Sequence, residues 1–269
     1  MTMKTPCKSL ALSLLALPLL AVTCCAEKED TYTISNTAGD FDHSHASFTG
    51  VLKKYVRGET FDYAALKKNP ATLKSYLDTL ANVPKAKYGK WTEDQQMAFL
   101  INLYNAATLE LVIDHYPVKS IKKIGGLLGN PWKKEVVRLW GEKVTLDHVE
   151  HDLLRPNFKD PRIHFAVNCA SIGCPALRPE AFQAAKLDAQ LDEQGRNFLR
   201  NPSKNRVDTE EGTLYLSPIF DWFKEDFVKK SGNVVKFIYP YLKKSDQALL
   251  QKGGLKLKYT DYDWDLNDR

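Results

Sequence analysis

The stretch "RIHFAVNCASIGCP", Arg162 to Pro175, sets two cysteines five residues apart, with His164 just upstream and His151 one helix earlier. Three chemistries suit these residue types. A cysteine thiolate attacks a carbonyl when a neighbouring imidazole removes its proton. Two cysteines in an oxidising compartment close a disulfide. His151, His164, Cys169 and Cys174 together could hold zinc, although they match no standard zinc spacing. In the first reading Cys169 is the nucleophile, His151 its base and His164 the reserve base. Spacing alone does not choose among the three.

Polar groups in apolar surroundings extend the candidate set. Asn102 and Asn105 fall on one stripe of "EDQQMAFLINLYNAATLELVIDHY", a helix apolar on nearly every side and therefore a core helix. A buried amide without partners costs roughly 1–3 kcal/mol, so each must bond something fixed. They either tie a loop or strand to the core helix, or orient an imidazole and bind substrate. In "LDHVEHDLLR", helical spacing puts Leu146, Val149, Leu153 and Leu154 on one face, with Glu150 in its middle. A carboxylate aimed into a core needs a cation or several donors. Arg162, Asn102 and Asn105 are the expected partners, and Glu150 or Asn105 would orient the catalytic imidazole. His148, His151, Asp152 and Arg155 lie opposite. Arg155 and Arg162 could grip a substrate carboxylate through bidentate forks.

Several elements must position these groups. Thr92 and Gln95 form a capping box that opens the core helix. "EVVRLW-GEK-VTL" reads as a hairpin, "RIHFAVN" as a strand delivering Cys169 at its end, and Ala181 to Leu199 as a helix. A second hairpin surrounds Glu210-Glu211-Gly212. Ser217-Pro218 starts a helix bearing Ile219, Trp222, Phe223 and Phe227 on one face. The glycines 125, 126 and 129 lack both the P-loop lysine and the dinucleotide fingerprint. The fold expected is α+β, a single helix-rich domain with a small, mainly antiparallel sheet.

The first residues read as an export signal over 1–26. Lys4 and Lys8 precede an apolar run, Leu10 to Val22, too short to span a bilayer. Small residues at Cys24-Cys25-Ala26 suit an ordinary cleavage, and a lipid on one of these cysteines is the lipoprotein alternative. A polar, disordered leader is expected over 27–44, and the domain over 45–269. Cleavage after Ala26 leaves only Cys169 and Cys174. The formal net charge of +5 falls by the two signal lysines, and no basic block interleaves with aromatics, so nothing points to nucleic acid. The partner expected is a small-molecule or peptide substrate, with membrane contact only through an N-terminal lipid. No cofactor is expected.

Four stretches together resemble the domain-of-unknown-function 547 family: "AFLINLYNAATLELVIDHYP" (Ala98–Pro117), "TLDHVEHDLLRP" (Thr145–Pro156), "DPRIHFAVNCASIGCPALR" (Asp160–Arg178) and "LSPIFDWFKEDF" (Leu216–Phe227). The likeness runs roughly from Ala98 to Phe227. It implies an exported bacterial protein without an agreed activity, whose shared polar positions fall on Asn102, Asn105, Glu150, His151, Arg155, His164 and Cys169. A Cys-His-Asn set is similar in residue types to papain-like and transglutaminase-like enzymes. The leading expectation is an exported thiol-dependent hydrolase or acyl-transfer enzyme acting on an amide or ester. A non-catalytic envelope-binding or scaffold domain and a metal-binding protein are the alternatives.

Overall fold

Helical spacing of apolar residues builds the N-terminal half. In the computed structural model, which describes residues 40–126 and 129–269, Phe41–Arg269 is one compact unit. The expected signal, and the leader as far as residue 39, lie outside the described residues. Packing begins at Phe41, ahead of the expected boundary, because its ring sits 4.9 Å from that of Trp91 and 5.7 Å from that of Phe99.

The chain continues through α1 (Ala46–Tyr55), a short antiparallel ribbon of β1 (Val56–Arg57) and β2 (Thr60–Phe61), α2 (Tyr63–Lys68), α3 (Ala71–Ala81) and α4 (Lys85–Tyr88) to α5 (Glu93–His115). The expected capping box opens α5: Thr92 Oγ1 accepts from Gln95 N, and Gln95 Oε1 accepts from Thr92 N. This helix is long and apolar enough to cross a membrane, but 89% of its apolar window is buried inside the protein. It is the core helix.

β3 (Glu135–Leu139) and β4 (Glu142–Thr145) form the first expected hairpin. A π-helical segment, His148–Leu154, follows and runs into α6 (Arg155–Phe158). The wider π turn is closed by Arg155 N donating to Glu150 O, five residues back. The helix-period reading of this segment holds for burial: Leu146, Val149, Glu150 and Leu154 are buried and His148 and His151 face outward, but Leu153 is only half-buried. α7 (Leu187–Leu199) starts later than expected, after a single 3₁₀ turn at Ala184–Lys186. β5 (Arg206–Asp208) and β6 (Thr213–Leu216) are the second hairpin, and β7 (Lys256–Tyr259) joins β6 in parallel. The helix expected from Ser217 breaks at Phe223 into α8 (Ile219–Trp222) and α9 (Lys224–Ser231). Two further helices, α10 (Val234–Ile238) and α11 (Lys244–Lys252), precede β7. The domain is thus α+β and helix-rich, its strands divided, among the described residues, into three small sheets.

The expected strand at "RIHFAVN" is corrected. Asp160 caps a 3₁₀ turn over Pro161–Phe165, accepting from Arg162 N at 3.0 Å, and the chain beyond it is irregular. The alternation of Ile163, Phe165 and Val167 has another cause. Two apolar clusters meet here. Ile163, Ala166 and Val167 pack into the one built on α5, while Phe165 packs with Phe198, Phe220 and Phe227 in the other. The segment fills the seam between two cores instead of pairing in a sheet.

Candidate functional site

Four of the residues singled out from sequence, Glu150, His151, His164 and Cys169, line one cavity of about 180 Å³, together with Cys174. They come from the π-helical segment, the 3₁₀ turn and the loop after it. Tyr104 of α5, Asp147 and an aromatic wall of Trp132, Trp222, Phe223, Tyr262 and Trp264 share the lining. The break at Phe223 is what turns Trp222 and Phe223 toward this space, and Trp222 keeps 48% of its surface exposed.

His164 is the most constrained of the four. Its side chain is 1% exposed, and Nε2 sits 2.8 Å from Asp226 Oδ2. Asp226 also takes Arg155 in a two-bonded fork, Nε to Oδ2 at 2.7 Å and a terminal nitrogen to Oδ1 at 3.2 Å. Burial alone would raise the Asp226 carboxyl, but the bonds from His164 and Arg155 outweigh it and hold it well below the usual carboxylate range. Burial dominates at His164 and lowers its basicity despite Asp226, so the ring is neutral. A carboxylate can only accept, so the proton sits on Nε2 and Nδ1 carries a lone pair. That Nδ1 is buried without a hydrogen-bond partner, 3.9 Å from Glu150 Oε1. Phe223 stacks on the ring at 3.9 Å and fixes its plane. The result is an imidazole oriented by a carboxylate, with its basic nitrogen bare.

Glu150 is 7% exposed. Burial raises its pKa to about 7, against the opposing pull of the Tyr104 hydroxyl and Arg155. Tyr104 and Trp132 line the cavity beside this carboxyl. Its expected partners are corrected. Arg162 instead serves Asp160, Asp188 and Asp192 at 2.7–2.9 Å, away from the cavity.

Cys169 and Cys174 form a disulfide. Asn168 clamps the loop that carries it: its Oδ1 accepts from Ala170 N at 2.8 Å and its Nδ2 donates to Pro175 O at 2.7 Å. Tyr262 Oη lies 3.1 Å from each sulfur. Gly173 makes that approach possible, since a Cβ there would stand 2.9 Å from the Tyr262 ring.

The remaining candidates lie outside this cavity. Asn102 bonds Phe182 N and O at 3.0 and 2.8 Å, and Asn105 bonds Asn168 N and Ala166 O at 2.8 and 2.9 Å. Each amide ties a backbone segment to α5 through its oxygen and its nitrogen, and neither bonds a histidine ring. Arg155 and Arg162 are likewise spent on Asp226 and on the three aspartates, not free for a substrate carboxylate. Arg155 also sits 3.0 Å from His151 Nδ1, and it lines a separate cavity of about 580 Å³ with Lys159, Lys229 and Lys230. Burial and this guanidinium lower the His151 pKa. The four-residue zinc cage is not assembled: the cysteines are bonded to each other, and among the described residues no group of three or more His, Cys, Asp or Glu stands ready for a metal.

Asp226, Tyr262 and Trp264 were not anticipated. Asp226 lies 62 residues from His164 and Tyr262 93 residues from Cys169, and the local pattern of all three carries no signal beyond an acidic residue beside a helix's apolar face and aromatics alternating with aspartates in the tail.

No curated protein and no solved structure matches the chain. Residues 88–199, from the end of α4 to the end of α7, match the family described as protein of unknown function, DUF547, which leaves Asp226 and the tail aromatics beyond the matched span.

Proposed function

We propose that the cavity is the active site of an exported thiol-dependent hydrolase or acyl-transfer enzyme acting on an amide or ester. Cys169 is its nucleophile once the disulfide is opened. The observation that carries this reading is the bare Nδ1 of His164, oriented by Asp226, at a cavity that Cys169 also lines. His164 therefore replaces His151 as the base, and Asp226 takes the orienting role expected of Asn105 or Glu150. In this scheme Nδ1 takes the thiol proton and the thiolate adds to the carbonyl. The imidazolium, stabilised by Asp226, then protonates the leaving group. Water or an acceptor amine or alcohol next cleaves the thioester. Glu150, half-protonated near neutrality, is placed to donate to the carbonyl oxygen. The N-terminal signal pattern supports export.

The test is hydrolysis of a panel of nitrophenyl esters and anilides before and after mild reduction. Activity is expected only after reduction. It should vanish in Cys169→Ser and fall by about 10²–10⁴-fold in His164→Gln. Activity that survives Cys169→Ser, or none after reduction, overturns the reading. The closed disulfide and the exposed Trp222 favour the second reading, a non-catalytic envelope-binding domain, which that result would leave standing.

A further inference from the structure

The two sulfurs of the disulfide are not equivalent. Cys169 is half-buried, whereas Cys174 is 3% exposed. Cys174 Sγ accepts from the Cys169 backbone N–H at 2.9 Å, a donor that Cys169 Sγ lacks, while the Tyr262 hydroxyl lies 3.1 Å from both sulfurs and can serve whichever takes on charge. Donors aimed at a sulfur gain strength as that sulfur takes on negative charge, so they lower the barrier for its departure more than they stabilise the intact bond. Accessibility marks one sulfur for attack, and hydrogen bonding marks the other for leaving.

We propose that this bond is itself a reacting group: a low-molecular-weight thiol attacks Cys169 Sγ, and Cys174 Sγ departs as the thiolate. The incoming thiolate forms a new S–S bond to Cys169 as the Cys169–Cys174 bond breaks, and its electron pair ends on Cys174. The proton of the incoming thiol goes to a cavity base, His164 Nδ1 or the Glu150 carboxylate, which returns it to Cys174. Glu150 suits this exchange because its pKa, raised to about 7, lets it both take and give a proton near neutrality. A second thiol then resolves the mixed disulfide on Cys169. Two thiols are oxidised to their disulfide, and the protein disulfide is reduced to two thiols. The exchange would uncover the nucleophile of the proposed enzyme. It involves no acyl substrate, so it stands or falls separately from hydrolysis.

The probe is reduced glutathione on native, oxidised protein, quenched with iodoacetamide at intervals and mapped by peptide mass spectrometry. The early product expected is glutathione on Cys169 with the alkyl group on Cys174. Cys174→Ser, which has no second sulfur, should accept glutathione from its disulfide at Cys169. Tyr262→Phe should slow reduction about tenfold, the scale of one hydrogen bond to a charged group. The site mapping on wild-type protein tests the direction of attack without any variant. Glutathione on Cys174, or a bond that resists reduction until the protein is unfolded, overturns the proposal. So does a folded Tyr262→Phe protein that is reduced at the wild-type rate. Exchange without any esterase or amidase activity would sink the proposed function and leave this inference intact.

Discussion

Glu150 gives the site its pH dependence. Its carboxyl titrates near 4.5 when solvated and is raised to about 7 by burial in the fold. Between those values the folded state holds a proton that the unfolded state has released, so stability is full below about pH 4.5 and declines as pH rises through about 7. The span corresponds to on the order of 3 kcal/mol. Glu150→Gln keeps the shape and removes the titration. Denaturant melts near pH 5 and pH 8 should show the wild type losing stability across that interval and the variant losing much less. Equal slopes would mean that the carboxyl is solvated or firmly ion-paired. The sequence announced Glu150 through its place on an apolar face. It could not announce the environment, because the nearest basic nitrogen, on His164, is neutral, and the donor, Tyr104, belongs to another helix.

At the scale of elements, the legible features were those decided within a few residues. The capping box of α5 and both hairpins follow from adjacent residue types, and each appears as expected. Segment 161–168 differs from the strand expected because alternation of residue types does not supply a strand partner; here Ile163 to Asn168 are all buried, Phe165 in one core and Ile163, Ala166 and Val167 in the other. What holds this segment is α5, through Asn105. Its nitrogen donates to Ala166 O and its oxygen accepts from Asn168 N, and all three residues are buried. Asn105→Ala strands one buried acceptor and one buried donor, at roughly 1–3 kcal/mol each. A loss of about 2–5 kcal/mol is therefore expected in denaturant melts of the oxidised protein. A loss under 1 kcal/mol would show that the loop is held by the disulfide and Asn168 alone.

Across the whole molecule, the site depends on the last residues of the chain, which is why so little of its wall was visible in the sequence. After β7 the tail returns across the domain and bonds three distant segments. Ile172 N and Gly173 N donate to Asp265 O and Asp263 O at 2.9 Å, Leu266 N donates to Lys119 O at 2.8 Å, and Phe61 N donates to Asn267 O at 2.9 Å. The Tyr63 hydroxyl donates to Asn267 Oδ1 at 2.7 Å, and both partners are buried. The tail thereby ties the start of the domain to the disulfide loop while delivering Tyr262 and Trp264 to the cavity. Ending the chain at Thr260 keeps β7 but removes this strap. It exposes the apolar surface covered by Leu266, worth about 1.5–3 kcal/mol, and leaves the backbone donors of Phe61, Ile172 and Gly173 without their partners. At about 2–4 °C per kcal/mol for a domain of this size, the midpoint of thermal unfolding should fall by at least about 5 °C. A truncation with an unchanged melting midpoint would show that the tail only rests on the domain, and that the cavity wall it forms is a cover the fold does not require.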